Sequence, residues 1–204
     1  ERVGSKYIIF MFIYLYMAEI REHFKLPFFQ KKKNDNYQTP IEYLRVIDEH
    51  ISSGQLINDP FYCQHAEGGG LVKRNWCKLG RHIIHNESDF FTETFEKTDC
   101  IVSNPPFSLI FQILEKLFEL DTPFALLLPL QKIAQLKIQS ILYDKHIQVI
   151  VCDTYTGFHL PDGKPTRCPS QYFCWLTYKF NLESDFIYST ANSPARAYAK
   201  VKKN

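Results

Sequence analysis

The stretch Cys100–Phe107, with the sequence CIVSNPPF, is the segment that decides the fold. It begins as an apolar run typical of a buried strand and ends in an asparagine, two prolines and an aromatic residue. Because proline has no backbone N–H, the two prolines stop the strand and stiffen the chain that leaves it. In open α/β sheets, ligands bind just beyond the carboxyl ends of the strands. The stretch therefore predicts a ligand-facing turn at a strand end.

On both sides of this stretch, short apolar runs alternate with helix-length amphipathic segments. The predicted strands are Leu56–Asp59, His82–His85, Cys100–Ser103, Phe124–Leu128, Ile147–Cys152 and Tyr172–Tyr178. The predicted helices are one that opens at Pro40 with Thr39 as its N-cap, then Gly68–Leu79, Ser108–Leu120 and Lys132–Leu142. This alternation indicates an α/β domain with a mainly parallel sheet. Because no helix separates the last two runs, we expect the last strand to be antiparallel.

The chain divides by composition into three parts. Residues 1–36 combine an apolar run, Tyr7–Met17, with a basic linker; residues 37–192 carry the α/β pattern; residues 193–204 form a basic tail that we expect to be flexible. The eleven residues of the apolar run fall short of the roughly 18 that span a bilayer. We therefore expect a helix packed on the body of the protein, in preference to membrane or signal use.

Composition limits the class of protein only loosely. The 204 residues are 45% hydrophobic and 23% charged, which is ordinary for one globular domain. A net charge of +2 does not by itself indicate a nucleic-acid partner. The six cysteines include no C-x-x-C pair, and Cys100, Cys152 and Cys174 lie in apolar runs. Buried thiols in a reducing, intracellular compartment are the simplest interpretation.

The residues after the Cys100–Ser103 strand suit the chemistry of a planar amine. The Asn104 side-chain carbonyl and the Pro105 backbone carbonyl form an acceptor-rich edge beside the aromatic face of Phe107. The amine of adenine is a poor nucleophile because its lone pair is delocalised into the ring. Two acceptors that hold its hydrogens draw the nitrogen towards tetrahedral geometry, so catalysis is mainly positioning.

Asn104-Pro105-Pro106-Phe107 resembles the N-P-P-[YF] motif of S-adenosylmethionine-dependent amino-methyltransferases. Members of that family modify adenine N6 and, in some branches, a glutamine amide. The following segment, which includes PFALLLPL at Pro123–Leu130, is similar to adenine methyltransferases of phages and giant viruses. The resemblance implies a class I methyltransferase (Rossmann-like) fold, methyl transfer to adenine N6, most readily in DNA, and these four residues as the catalytic set.

The resemblance also implies a cofactor site for S-adenosylmethionine in three segments nearer the N-terminus. One resembles the segment before the first helix, one follows the first strand, and one follows the second strand. The residues carried over are Tyr37, Thr39, Pro40, Asp59, Phe61, Glu87, Asp89 and Phe90. Glu87 is the candidate for the ribose hydroxyls, and Asp89 with Phe90 for the adenine ring.

Two features depart from the family pattern. The first cofactor motif normally has glycine four to six residues after its acid, whereas here glycine first appears at Gly68. Only fourteen residues, Asn86–Asp99, separate the second and third strands, so we expect that edge of the sheet to be abbreviated. The first departure leaves open a methyltransferase-like module that binds without catalysis.

The turn-rich stretch Thr156–Ser170 is the candidate for holding the target, since surface loops carry function disproportionately. Within it, Lys164 and Arg167 are candidates for phosphate contacts and Phe158 for stacking on a base. We therefore expect a nucleic-acid partner, DNA in preference to RNA, and no membrane partner. The oligomeric state stays open.

Two further alternatives remain. The same motif fits RNA adenine or a protein glutamine amide as the acceptor. The other alternative is a zinc site, because the sequence contains cysteines and histidines that could bind the metal. Their spacing matches no compact zinc module, so we expect no metal. Its candidate ligands are Cys63, His65, Cys77, His82 and His85.

Overall fold

The computed structural model describes residues 37–61, 70–85, 89–92, 95, 98–154, 156–167 and 171–191. These residues belong to one unit, Asp35–Asn204. The predicted N-terminal helix and basic linker, and the predicted tail, lie outside the described residues.

A twisted sheet of seven strands forms the centre of the described domain. The strands are β1 (Ile57–Asn58), β2 (Ile83–Ile84), β3 (Cys100–Ser103), β4 (Phe124–Pro129), β5 (Ile147–Val151), β6 (Phe173–Tyr178) and β7 (Phe186–Tyr188). Their order across the sheet is β2-β1-β3-β4-β6-β5-β7. Strand β6 pairs antiparallel with both β4 and β5, and every other pair is parallel.

This topology confirms the predicted class I methyltransferase arrangement. Strand β6 is the strand that we expected to be antiparallel. Strand β7 follows it along the chain and pairs in parallel with β5 at the outer edge, which the sequence analysis did not predict. The strand has only three residues, Phe186–Tyr188, which is too short an apolar run to predict a strand. Phe186 and Tyr188 are exposed.

Five helices complete the described domain. They are α1 (Ile41–Asp48), α2 (Gly70–Lys78), α3 (Ile110–Leu120), α4 (Leu130–Ile133) and α5 (Leu136–Leu142). Two predictions are corrected. Pro40, not Thr39, occupies the N-cap position of α1, and no side chain caps that end. The single helix expected over Lys132–Leu142 is two short helices, because Gln135 adopts an extended conformation between them.

The core occupies both faces of the sheet. Tyr43 and Ile47 of α1 and Trp76 of α2 pack on one face, while Ile113 of α3 and Ile138 of α5 pack on the other. All six residues of β4 are buried, as expected for a central strand covered on both sides. Successive side chains of a strand alternate between faces, so neighbouring leucines of β4 belong to different halves of the core.

The edge of the sheet beyond β1 is short, as the spacing predicted. Strand β2 has two residues, and among the described residues no strand lies outside it. The described part of the chain also contains no helix that is long and apolar enough to cross a membrane.

The cysteines of the strands are buried, as predicted. Burial raises the pKa of the Cys100 and Cys174 thiols to about 12 and also raises the pKa of Cys152. These thiols therefore stay protonated at neutral pH and act as small apolar side chains.

Trp175 links the sheet to α1. Its indole Nε1–H donates to the backbone carbonyl of Tyr43 at 3.0 Å, and the side chain is fully buried. Trp175→Phe should lower the free energy of unfolding by about 1–3 kcal/mol, because it removes that hydrogen bond and leaves a cavity where part of the buried indole was. Urea unfolding measures the change, with the exposed Tyr188→Phe as a control expected within about 0.5 kcal/mol of the parent. Equal stability of both variants would contradict this role.

Candidate active site

Polar side chains follow three neighbouring strands at the point where each strand ends. His85 follows β2, Asp59 follows β1, and Ser103 ends β3 immediately before Asn104. Because these strands are parallel and adjacent, their carboxyl ends meet at one edge. A small pocket opens there, lined by Tyr37, Gln38, Thr39, Asp59, Phe61, Val72, His85, Ser103 and Asn104.

The Asp59 carboxyl group joins the three strand ends. Only 4% of the residue is exposed. The Ser103 hydroxyl donates to Asp59 Oδ1, and His85 Nδ1 lies 3.9 Å from Oδ2 and 2.8 Å from the Asp59 backbone oxygen. Burial raises the pKa of Asp59, while His85 and the hydrogen bonds of Ser103 and the Phe61 backbone oppose the rise. The predicted cofactor acid thus lies in the pocket wall as a bridge between strands.

Asn104 carries an acceptor that the described residues leave unused. Its Oδ1 atom is buried and has no hydrogen-bond partner among them. Buried polar atoms are nearly always paired, so an unpaired one at a strand end is where a ligand donor fits. The Pro106 backbone carbonyl, two residues further along the motif, is already paired, because it accepts from the Leu109 N–H at 3.0 Å.

The rest of the motif is held by packing. Pro105 is buried, and the half-buried ring of Phe107 lies 6.2 Å from that of Phe173, measured between ring centroids. The Phe107 backbone carbonyl accepts from Lys132 Nζ at 3.4 Å. The motif is therefore fixed from both its ring and its backbone.

The segment before α1, a predicted cofactor contact, lines this pocket. Tyr37 and the buried Thr39 line it, and Asn75 Nδ2 of α2 donates to the Thr39 carbonyl at 3.1 Å. Pro40 is buried next to them and precedes the first residue of α1.

Gln38 is a site residue that sequence reasoning missed. Its Oε1 accepts from the Leu71 N–H at the start of α2, and its Nε2 donates to the carbonyls of Leu160 and Pro161 at 3.0 Å each. Gln38 thus ties the pocket to the Thr156–Ser170 loop. A lone glutamine in a loop gives no sequence signal for such distant partners.

An aromatic cluster stands beside the pocket. The Phe61 and Phe90 ring centroids lie 4.7 Å apart, and Lys116 Nζ lies 5.0 Å from the centre of the buried Phe90 ring. Asp89 is exposed, and its Oδ1 accepts from the Phe91 N–H at 2.8 Å, which opens a tight turn. The structure therefore brings Phe61 and Phe90 together. Glu87 lies outside the described residues.

The loop Thr156–Ser170, as far as it is described, forms a hairpin over this edge. The Thr166 N–H donates to the Phe158 carbonyl at 2.7 Å, and His159 pairs with Gln38 on the other side. A Cβ on Gly157 would lie 2.3 Å from the Thr166 oxygen, so the two strands of the hairpin approach too closely for any other residue.

One candidate on this hairpin is corrected. Phe158 is only 8% exposed and stacks on Tyr43 at 5.1 Å, with Phe173 4.9 Å away. The ring anchors the hairpin in the core and does not present a face for a base, because apolar burial outweighs exposure at this position. Lys164 and Arg167 are exposed, and Lys164 Nζ lies 2.9 Å from Asp162 Oδ2.

The zinc alternative gains no geometric support. Cys77 is exposed, and His85 belongs to the Asp59 network. No cluster of three or more histidine, cysteine or acidic side chains suited to a metal occurs within the described ranges. Cys63 and His65 lie outside those ranges.

Comparison with known proteins gives likeness in fold. No protein-family model and no curated protein matches the chain. A solved tRNA methyltransferase of B. subtilis is 18% identical, with a TM-score of 0.40 over 66% of this chain and 64% of that chain. This chain therefore spans slightly less than two thirds of the length of that protein. A putative class I S-adenosylmethionine-dependent methyltransferase of Listeria monocytogenes is 10% identical, with a TM-score of 0.44 over 85% and 72%.

A third solved structure is similar to the same degree. An S-adenosylmethionine-dependent O-methyltransferase of Thermotoga maritima is 15% identical, with a TM-score of 0.40 over 76% of this chain and 70% of that chain. Likenesses of this degree assign no activity to this chain.

Asp59 makes stability depend on pH in a defined direction. Its pKa is raised above 3.8 in the folded state, so above about pH 4 the native state holds the proton more firmly than the unfolded chain and loses stability as pH rises. Asp59→Asn keeps an acceptor for Ser103 but does not titrate. The stability of this variant relative to the parent should therefore increase as pH rises from about 4 through the folded pKa.

Urea unfolding across that pH range measures this difference, with the exposed Asp144→Asn as a matched control. A difference that is flat or falls with rising pH would show that the fold favours the ionised carboxylate.

Proposed function

We propose that this protein transfers a methyl group from S-adenosylmethionine to the N6 amine of adenine in nucleic acid, with DNA favoured. The observation that carries the proposal is the buried Asn104 Oδ1 at the carboxyl end of β3, which has no hydrogen-bond partner among the described residues. A site for an amine needs such an acceptor, preformed and shielded from water. The N-P-P-F sequence that supplies it supports the same chemistry.

The motif residues act by orientation. Asn104 Oδ1 accepts one amine hydrogen and the Pro105 carbonyl accepts the other, which pulls the nitrogen out of conjugation with the ring. Phe107, held against Phe173, provides the face on which the base stacks. A target inside a duplex has to be flipped out to reach this turn.

The lining of the pocket supports a cofactor with a charged end and a sugar, because buried polar groups from three strand ends converge there. When bound, S-adenosylmethionine supplies the electrophilic methyl group. Tyr37, Thr39 and Pro40 would hold it from the segment before α1. Asp59 and Phe61 would shape its wall, and Glu87, Asp89 and Phe90 are the proposed contacts for its nucleoside part. We also propose that the enzyme is intracellular, because Cys100, Cys152 and Cys174 are buried free thiols.

The acceptor oxygen of Asn104 is the first target for mutation. Asn104→Ala should lower the rate of N6-methyladenine formation by about 10²–10³, the usual loss for one positioned polar group, while cofactor affinity stays near that of the parent. Asn104→Asp keeps an acceptor oxygen of the same reach and should retain more activity than the alanine variant. Calorimetry measures affinity and nucleoside mass spectrometry measures the product.

Gln139→Ala removes an exposed amide from α5 and is the matched control. Parental turnover in Asn104→Ala would refute the catalytic assignment. A parent that binds no S-adenosylmethionine would instead favour the non-catalytic binding module.

The two exposed cations of the hairpin should differ in their effect on nucleic-acid binding. Lys164 is already paired with Asp162, so Lys164→Ala should change affinity little. Arg167→Ala should weaken oligonucleotide binding and reduce the slope of log affinity against log salt by about one. Fluorescence anisotropy at several salt concentrations measures both. The control is Lys145→Ala, which lies before the amino end of β5 on the opposite edge of the sheet. If Arg167→Ala leaves the salt slope of binding unchanged, Arg167 makes no phosphate contact.

A further inference from the structure

Lys132 lies next to the N-P-P-F turn without belonging to the motif. It sits on α4, the short helix that follows β4, and its Nζ donates to the Phe107 carbonyl at 3.4 Å. Strands β3 and β4 are parallel neighbours, so the turn and α4 leave the sheet at the same edge. The ammonium group is therefore fixed at the proposed acceptor side of the site.

The charge of Lys132 has no counterion in the part of the chain that the structure describes. No carboxylate of those residues lies within 4 Å of its Nζ atom. Methylation of an amine builds positive charge on the acceptor nitrogen, and a nearby unpaired ammonium group opposes this. An acceptor that brings its own anion removes the penalty. A nucleic acid does so at every nucleotide through its phosphate, whereas a glutamine amide in a protein does not.

An exposed aromatic residue is joined through its backbone to the start of the same helix. The Leu130 N–H at the start of α4 donates to the Tyr172 carbonyl at 2.8 Å, and Tyr172 is 65% exposed. Cations and exposed aromatic residues on one surface are the combination that holds single-stranded nucleic acid, with the cation on phosphate and the ring on a base.

We propose that Lys132 is a specificity-determining residue of the acceptor site, which contacts the phosphate beside the target adenine while Tyr172 stacks on a neighbouring base. This inference rests on the proposed function and narrows its acceptor to a nucleic-acid strand.

The test separates the charge of Lys132 from its hydrogen bond to Phe107. Lys132→Gln keeps a donor for the Phe107 carbonyl but removes the charge, Lys132→Arg keeps the charge, and Lys132→Ala removes both. Each variant of the full chain is titrated with an adenine-containing oligonucleotide at several salt concentrations, and KM and kcat are measured for N6-methyladenine formation. Lys137→Ala, on α5, is the control for loss of a nearby exposed charge.

We expect Lys132→Gln and Lys132→Ala to bind about tenfold more weakly, the loss of one charge-assisted hydrogen bond, and to lose about one unit of salt slope. KM should rise correspondingly, and Lys132→Arg and Lys137→Ala should bind like the parent. Tyr172→Ala should weaken binding with no change in salt slope, because stacking releases no counterion.

Three results would overturn the inference. If Lys132→Gln keeps the parental affinity and slope while Lys132→Ala loses activity, Lys132 only supports the Phe107 carbonyl. If the parent methylates nucleic acid and all Lys132 variants keep its salt slope, the phosphate contact is absent although the proposed function stands. A parent that methylates no nucleic acid refutes the proposed function itself, and this inference with it.

Discussion

The hydrogen bond from Ser103 to the buried carboxyl group of Asp59 is the interaction on which the site depends. It joins the ends of β1 and β3, and His85 brings in the end of β2 on the other side of Asp59. Burying a carboxyl group is costly unless its oxygens are hydrogen-bonded, so these strand ends are held in one arrangement. Asn104 follows Ser103 directly, so the same hydrogen bond also fixes the position of the Asn104 Oδ1 acceptor.

A second constraint closes the site from the other side. Gln38 bonds at once to the start of α2 and to the hairpin after β5, and the buried Phe158 ring stacks on Tyr43 to pin the hairpin to α1. One wall of the pocket is therefore held by contacts between segments more than a hundred residues apart in sequence. Its shape belongs to the packed domain and not to any single motif, which is why the short N-P-P-F sequence alone does not define it.

The sequence predicted most of the fold, but not the long-range contacts around the candidate site. Strand β3 was predicted to the residue because an apolar run followed by Pro105 and Pro106 has few other conformations. Strand β7 was missed because its apolar run has only three residues, and its pairing with β5 makes it a strand. Phe158 was misjudged because an aromatic residue in a turn-rich loop gives no sign that its ring enters the core. Gln38 and Lys132 act through contacts set only by tertiary structure.

The central claim is that this edge of the sheet presents an acceptor for the exocyclic amine of adenine. The most direct measurement incubates the protein with isotopically labelled S-adenosylmethionine and, in parallel, with DNA, RNA and protein, then locates the label by mass spectrometry of the hydrolysed products. The account predicts label on adenine N6 in a nucleic-acid sample. Label on a ring nitrogen, on glutamine alone, or in none of the three samples would contradict it.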